Sequence, residues 1–490
     1  MVVDLEVAVV GVTNNKAITH CKSITENNRD SADTISTQNI IEQENQAETH
    51  QSIESISSSN LKGLLASAGC ALLAGLPNQV QAGELDNWDF EAATLIYAES
   101  DSRVSAAEPV LSATRTFDSE TKLNLKLALD TLTGASPNGA TPSDQAQTFA
   151  RPSGKGEFTT KAGDQPLDDT FRDTRAAFSA TWTAPINRDW AYSAGGYLSS
   201  EHDYQSLGVN GSVSRYLNQK NTTLTFGANL SADTIDPVGR APEGLSKVAV
   251  PGSSSYGGDF DASRGAASND KTITDFLFGV TQVINRRTIM QFNYSISASD
   301  GYLNDPYKIV SVIDDNTGSN YGGNYQDGGS NLYIYEKRPD TRLKQAIYWQ
   351  TKYQRENSDI IDFSYRFMFD DWGINSHTLD LKYRWQMGDH YLEPQLRWYS
   401  QSAADFYQRY LTASNYSDVD EVSSDYRLGD LDTYTLGVRY GYTMAGGNEL
   451  YARLALYQQQ NSGSNGFGKL KDQDLYPDTT ATMLTVGYKF

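Results

Sequence analysis

Eight cations, Lys344, Lys352, Arg366, Lys382, Arg384, Arg397, Arg439 and Arg453, stand out in the carboxy-terminal half of the chain by type and spacing. They alternate with apolar neighbours such as Phe367, Leu381, Tyr383, Leu396, Tyr440 and Leu454. Side chains two apart share one face of a strand, so these cations would form one face of a sheet and the apolar residues the other. The chemistry of such a wall is electrostatic: it concentrates anions and makes or breaks no bond. Asp362, Asp380 and Glu393 share the parity of the cations, which leaves two readings open. The wall either attracts mobile anions, or its charges pair with one another or with an inserted acidic loop. Further upstream the same face reads Ser193, Gly195, Asn210, Ser212, Thr225, Asn229, Asn293 and Ser295, polar and uncharged.

Other chemistry is poorly supported. The only cysteines, Cys21 and Cys70, lie early, so residues 83–490 hold no disulfide, thiolate metal site or c-type haem attachment. Asp314, Asn316 and Gly318 have the spacing of a calcium loop, but the stretch Ile313–Asn331 lacks the bidentate Glu and reads as solvated surface. "TGASPNGA" (Thr133–Ala140) lacks the Lys-Ser/Thr of a phosphate loop and reads as a turn cluster. His202, His377 and His390 make no metal pair, and no Ser-His-Asp spacing suggests a triad. The expectation is therefore a protein that is not an enzyme and has no metal and no cofactor.

What positions the cations is a long series of alternating segments. "KLNLKLALD" (Lys122–Asp130) puts four leucines on one face, and "DIIDFSYRFMF" (Asp359–Phe369) aligns Ile361, Phe363, Tyr365, Phe367 and Phe369. With 30 Tyr, 39 Gly and a mean hydropathy of −0.53, the chain is too polar for membrane helices yet suits half-apolar strands. Tight turns at 186–189, 218–221, 285–287, 356–359, 387–389 and 445–448 alternate with connections that are mostly long. That alternation puts every tight turn at one end of an up-and-down sheet.

The fold class expected is all-β, a transmembrane antiparallel β-barrel with short periplasmic turns and long extracellular loops. Sixteen strands are predicted: 88–99, 102–117, 120–132, 170–184, 188–200, 203–217, 221–233, 270–284, 287–299, 341–356, 359–370, 375–387, 389–400, 430–443, 448–460 and 479–490. Fourteen result if the weakly patterned first two drop out. The setting expected is the outer membrane of a Gram-negative bacterium, among lipid and lipopolysaccharide, with no nucleic acid partner.

Residues 61–82 read as a secretory signal, with Lys62, an apolar core from Leu64 to Leu76, and Val80-Gln81-Ala82 before Gly83. A lipoprotein signal at Cys70 fits less well, because Ser67 stands where Leu is usual. The acidic residues 1–60 read as a disordered extension or a mis-assigned start. Residues 83–490 are the barrel. Its ending, "TATMLTVGYKF", is a strand with Tyr488 and Phe490 on its apolar face, read as the signal for the barrel-insertion machinery.

Five phrases carry a family resemblance: "YAESDSRVSAAEPV" (Tyr97–Val110), "LDTLTGASPNGA" (Leu129–Ala140), "DTRAAFSATWTAPI" (Asp173–Ile186), "SSEHDYQSLGVNGS" (Ser199–Ser212) and the terminal "LTVGYKF". Together they resemble the bacterial family catalogued as "domain of unknown function 3570". The resemblance implies an outer-membrane barrel and no particular activity. A pore for small, anionic solutes is the expected function. The alternative is a non-conducting scaffold holding a periplasmic, surface or redox partner.

Overall fold

The computed structural model describes residues 87–100, 103–118, 120–322 and 331–490. The expected leader and signal segments lie outside them. In chain order the strands begin with β1 (Trp88–Glu99), β2 (Val104–Thr116), β3 (Lys122–Pro137), β4 (Gln147–Ala150), β5 (Glu157–Thr160), β6 (Leu167–Asn187) and β7 (Trp190–Ser200). Next come β8 (Tyr204–Leu217), β9 (Thr222–Ile235), β10 (Asn269–Asn285), β11 (Thr288–Gly301), β12 (Ile309–Ile313), β13 (Tyr333–Tyr335) and β14 (Thr341–Gln354). The last are β15 (Ile360–Asp370), β16 (Asn375–Met387), β17 (His390–Gln401), β18 (Leu411–Thr412), β19 (Asp430–Thr443), β20 (Glu449–Ser462) and β21 (Thr479–Lys489).

Sixteen of these form one closed antiparallel barrel, in the order β1-β2-β3-β6-β7-β8-β9-β10-β11-β14-β15-β16-β17-β19-β20-β21. The sequence reading of sixteen strands holds, including the weakly patterned pair at the start. It ended β3 too early and started β6 too late, because that hairpin continues past the barrel rim to pair Pro137 with Leu167. Closure is made by β1 and β21, and the pairing ends with Phe90 N donating to Phe490 O at 2.7 Å and Phe490 N to Phe90 O at 2.9 Å.

Most strands of the barrel carry one apolar, exposed face. Leu207, Val209, Leu396, Leu436 and Leu456 each leave more than half of their surface exposed on the outside. A soluble chain would bury such a belt, since each large aliphatic side chain gains about 1.5–3 kcal/mol on leaving water. At the short-turn end the belt is rimmed by aromatics: Phe490 stacks on Phe90 at 5.3 Å and on Tyr488 at 5.2 Å, and Phe117 packs against Trp182. Arg115 lies 4.8 Å from the Phe117 ring, and Arg215 lies 5.3 Å from that of Trp190.

The long connections depart from expectation. They do not spread as solvated loops but fold together into a cap with its own core. β12 pairs antiparallel with β13 and parallel with β18, so the connections 302–340 and 402–429 share a small sheet. Val310, Val312, Leu411 and Val422 are wholly buried there, with Ile334. A second cluster joins Ala140 and Phe149 to Ile309, Tyr333 and Tyr335, which ties in the connection 138–166. A third packs Phe406 and Leu428 with Ala346 of β14 and Met368 of β15. Those two barrel residues share the face of the cations, so connection 402–429 enters the mouth of the barrel.

The expectation of solvated surface for Ile313–Asn331 fails at its start, where Ile313 is fully buried between the cap strands and Leu470 and Leu475. Asp314 is half-buried, and its Oδ1 accepts from the backbone of Asn316 and Thr317 and from the Thr317 hydroxyl.

Candidate functional site

The lumen is built by the alternation that makes the outer belt. On β14 to β20 the inner positions carry the eight cations, and the register sets them in rows. Asp362 of β15 pairs with both Lys352 and Lys382 of its neighbours, and Asp380 of β16 faces Arg397 of β17. Glu393 of β17 then faces Arg439 of β19, which faces Arg453 of β20.

Ion pairs run within the wall. Arg384 Nε lies 2.7 Å from Glu393 Oε2, Lys352 Nζ 3.2 Å from Asp362, Arg439 3.2 Å from Glu449 and Lys382 3.8 Å from Asp380. Arg453 donates to Gln395 Oε1 at 2.7 Å, and Gln395 donates onward to Asp380 at 2.6 Å. Arg366 and Arg397 occupy inner positions on β15 and β17, and Lys344 stands near the rim on β14, itself 9% exposed. Cations outnumber acids on this wall, so it stays net positive. The Lys382 side chain is 41% exposed although it points inward.

At the short-turn end the wall tightens around two tyrosines. Arg384 lies 4.1 Å from the ring of Tyr391, and Arg439 lies 3.8 Å from that of Tyr451. Tyr391 donates to Glu449 at 2.6 Å and Tyr451 to Glu91 at 2.9 Å. Each ring lies across a glycine on the next strand. A Cβ built on Gly441 would sit 2.1 Å from Tyr391, and one on Gly487 2.2 Å from Tyr451. The glycines are required by this close approach, and through the rings they orient Arg384 and Arg439. Gly441→Val should therefore displace Tyr391 and cost about 1–3 kcal/mol, as overpacking does. The check is a urea unfolding midpoint. Adding Tyr391→Ala should recover part of the loss, because the two sites share one contact.

The opposite wall is polar at the positions the sequence named, with an acid among them: Ser193 and Ser212 hydrogen-bond at 2.8 Å, Ser214 and Thr225 at 3.0 Å, and Asn229 donates to the Asp275 carboxylate at 2.8 Å. Among the histidines, His377 meets the hydroxyl of Tyr365 and His390 that of Tyr440, on separate strands.

Sequence reasoning missed the buried charges that hold the cap in the mouth. Arg338 bridges Glu336 at 2.7 Å and Asp425 at 2.9 Å, and Arg427 bridges Asp425 at 2.5 Å and Asp305 at 2.6 Å. Tyr307 donates to Asp203 at 2.6 Å and so anchors the network to the turn before β8. Burial and neighbouring carboxylates push Glu336 up to about 7, against the pull of Arg338. At the barrel rim below, Arg342 of β14 binds Asp370 of β15 at 2.6 Å.

The family described as "Protein of unknown function (DUF3570)" matches residues 62–490. No curated protein matches the chain. Solved structures with a similar arrangement include a bacterial polysaccharide outer membrane secretin, with a TM-score of 0.38 and 9% identity over 82% of this chain and 98% of that one. A FadL homologue from Pseudomonas aeruginosa has a TM-score of 0.36 and 12% identity over 82% of this chain and 90% of that one. The outer membrane protein opdK from Pseudomonas aeruginosa has 0.34 and 10%, over 82% and 98%.

Proposed function

The chain belongs to that family of unknown function, and we propose that it is an outer-membrane pore of a Gram-negative bacterium that passes small anionic solutes. The observation that carries the reading is the net-positive wall of β14 to β20, on which the inward-pointing Lys382 side chain is 41% exposed. Cations on a low-dielectric wall raise the local concentration of anions. The bare apolar belt and its aromatic rim support a membrane setting, with lipid and lipopolysaccharide around the barrel. The chemistry asked of the wall is attraction alone, and the protein is not an enzyme in this reading. Current across a planar bilayer, measured on the purified full chain, tests it.

The cap supports a second reading. Its apolar core and buried ion pairs lie at the long-loop mouth, where a non-conducting scaffold for a periplasmic or surface partner would need a plug. The two readings differ in whether the cap moves.

Assembly gives a separate expectation. Phe490 contributes two backbone hydrogen bonds and two ring stacks to the seam that closes the barrel. Losing one aromatic costs on the order of 1–3 kcal/mol of apolar burial. If Tyr488 and Phe490 are also what the insertion machinery reads, deleting Phe490 should lower the amount of heat-modifiable barrel in the outer membrane far more than that cost implies. Wild-type levels of the deleted form would remove the recognition role.

A further inference from the structure

Where the cap meets the barrel rim, a cavity of about 20 Å³ is walled by Arg103, Lys308, Arg409, Tyr407, Tyr426 and Tyr476. That is room for one or two water-sized occupants. The three cations come from three connections and are nearly buried, at 9%, 3% and 8% exposure. Arg103 has a carboxylate, Glu99, at 3.3 Å, and donates to the Thr479 hydroxyl at 3.0 Å. Lys308 donates to the carbonyl of Pro137 and stands beside Asp305 and Asp425, both already bound by arginines. Asp425 also lines the cavity, with Arg338 and Arg427 on its oxygens.

Arg409 is the exception. Its guanidinium donates only to backbone carbonyls, those of Leu475 at 2.8 Å, Gly139 at 2.6 Å and Ala140 at 3.1 Å. It makes no ion pair among the described residues, and the carboxylate that acts on it is that of the exposed Asp474. Burial holds both Arg409 and Lys308 below their ordinary pKa. A buried cation without a counter-charge is costly, and carbonyl dipoles offset only part of that cost. Here the uncompensated charge opens onto a cavity whose other walls offer a second and third cation and three phenol groups.

We infer that this cavity binds a small inorganic anion of halide size, which completes the charge balance of Arg409 and locks the cap connections to one another. The bound ion would hold together connections 138–166, 302–340, 402–429 and 463–478, all of which reach the cavity wall or donate a carbonyl to it. The site does not depend on the pore reading, since a barrel that conducts nothing could hold the same ion.

The test uses the full chain and bromide as probe. Crystals grown in sodium bromide should show an anomalous peak in the cavity. Protease cleavage of the cap should slow saturably with bromide at constant ionic strength, set with gluconate, by about tenfold at bromide near ten times its Kd. Arg409→Gln should lose both the peak and the bromide dependence. If that variant fails to assemble, the wild-type map and titration decide. An empty cavity in the map overturns the inference, as does a peak in the cavity with cleavage indifferent to bromide, which would be an adventitious ion only.

Discussion

A barrel carrying Val312→Asp should conduct in a planar bilayer at levels the wild type reaches only in rare openings. Val312 is completely buried in the cap core, between Val310, Ile334, Leu411 and Val422. An ionised carboxylate placed there has no partner, and such burial costs several kcal/mol even after relaxation. The barrel strands do not share that cost. Each is bonded to two neighbours around a closed sheet, whereas the strands beside β12 are short, three residues in β13 and two in β18. Local opening takes the least stable unit first, and the cap is that unit. The variant should therefore keep its heat-modifiable barrel while its cap becomes open to protease. If the cap opens and no current flows, the scaffold reading stands and the pore reading fails.

The barrel was legible in the sequence because lipid and water impose opposite demands on successive residues. On β17, for example, Arg397 sits between Leu396 and Trp398, and only one register keeps the guanidinium out of hydrocarbon. A one-residue slip would cost about 2–4 kcal/mol for each such charge near the midplane, so parity is fixed by energy and can be read. The cap imposes no such local rule. Its sheet pairs Ile309–Ile313 with Leu411–Thr412, about one hundred residues away, and β18 is two residues long. Arg409 finds Gly139 at a separation of 270 residues. The one local sign was "IVSVI" itself, a β-branched apolar run inside what otherwise reads as a polar loop. The wall cations were legible as a face, but their pairing was not. Which acid each of them meets, and how closely, depends on side-chain reach across the register, as Arg384 shows by binding Glu393 at 2.7 Å while Lys382 reaches Asp380 of its own strand only at 3.8 Å.

That pairing changes what a charge reversal should do. In the conducting form, Arg384, Arg397 and Arg439 replaced together by Glu should reverse the sign of the reversal potential in a salt gradient, from anion to cation preference. Three positive charges are lost and three negative ones gained. Arg384 and Arg439 leave behind Glu393 and Glu449, which then add to the negative field instead of being matched. Arg397→Glu alone replaces one cation, and should shift the potential in the same direction without reversing it. The triple variant should also unfold more easily, since like charges would stand within a few ångströms of one another on adjacent strands. The wild-type preference should fade between 0.1 and 1 M salt, as the Debye length falls from about 10 Å to about 3 Å and the centre of the bore escapes the wall. A conducting barrel whose selectivity ignores all three substitutions would mean that ions pass elsewhere than along β14 to β20.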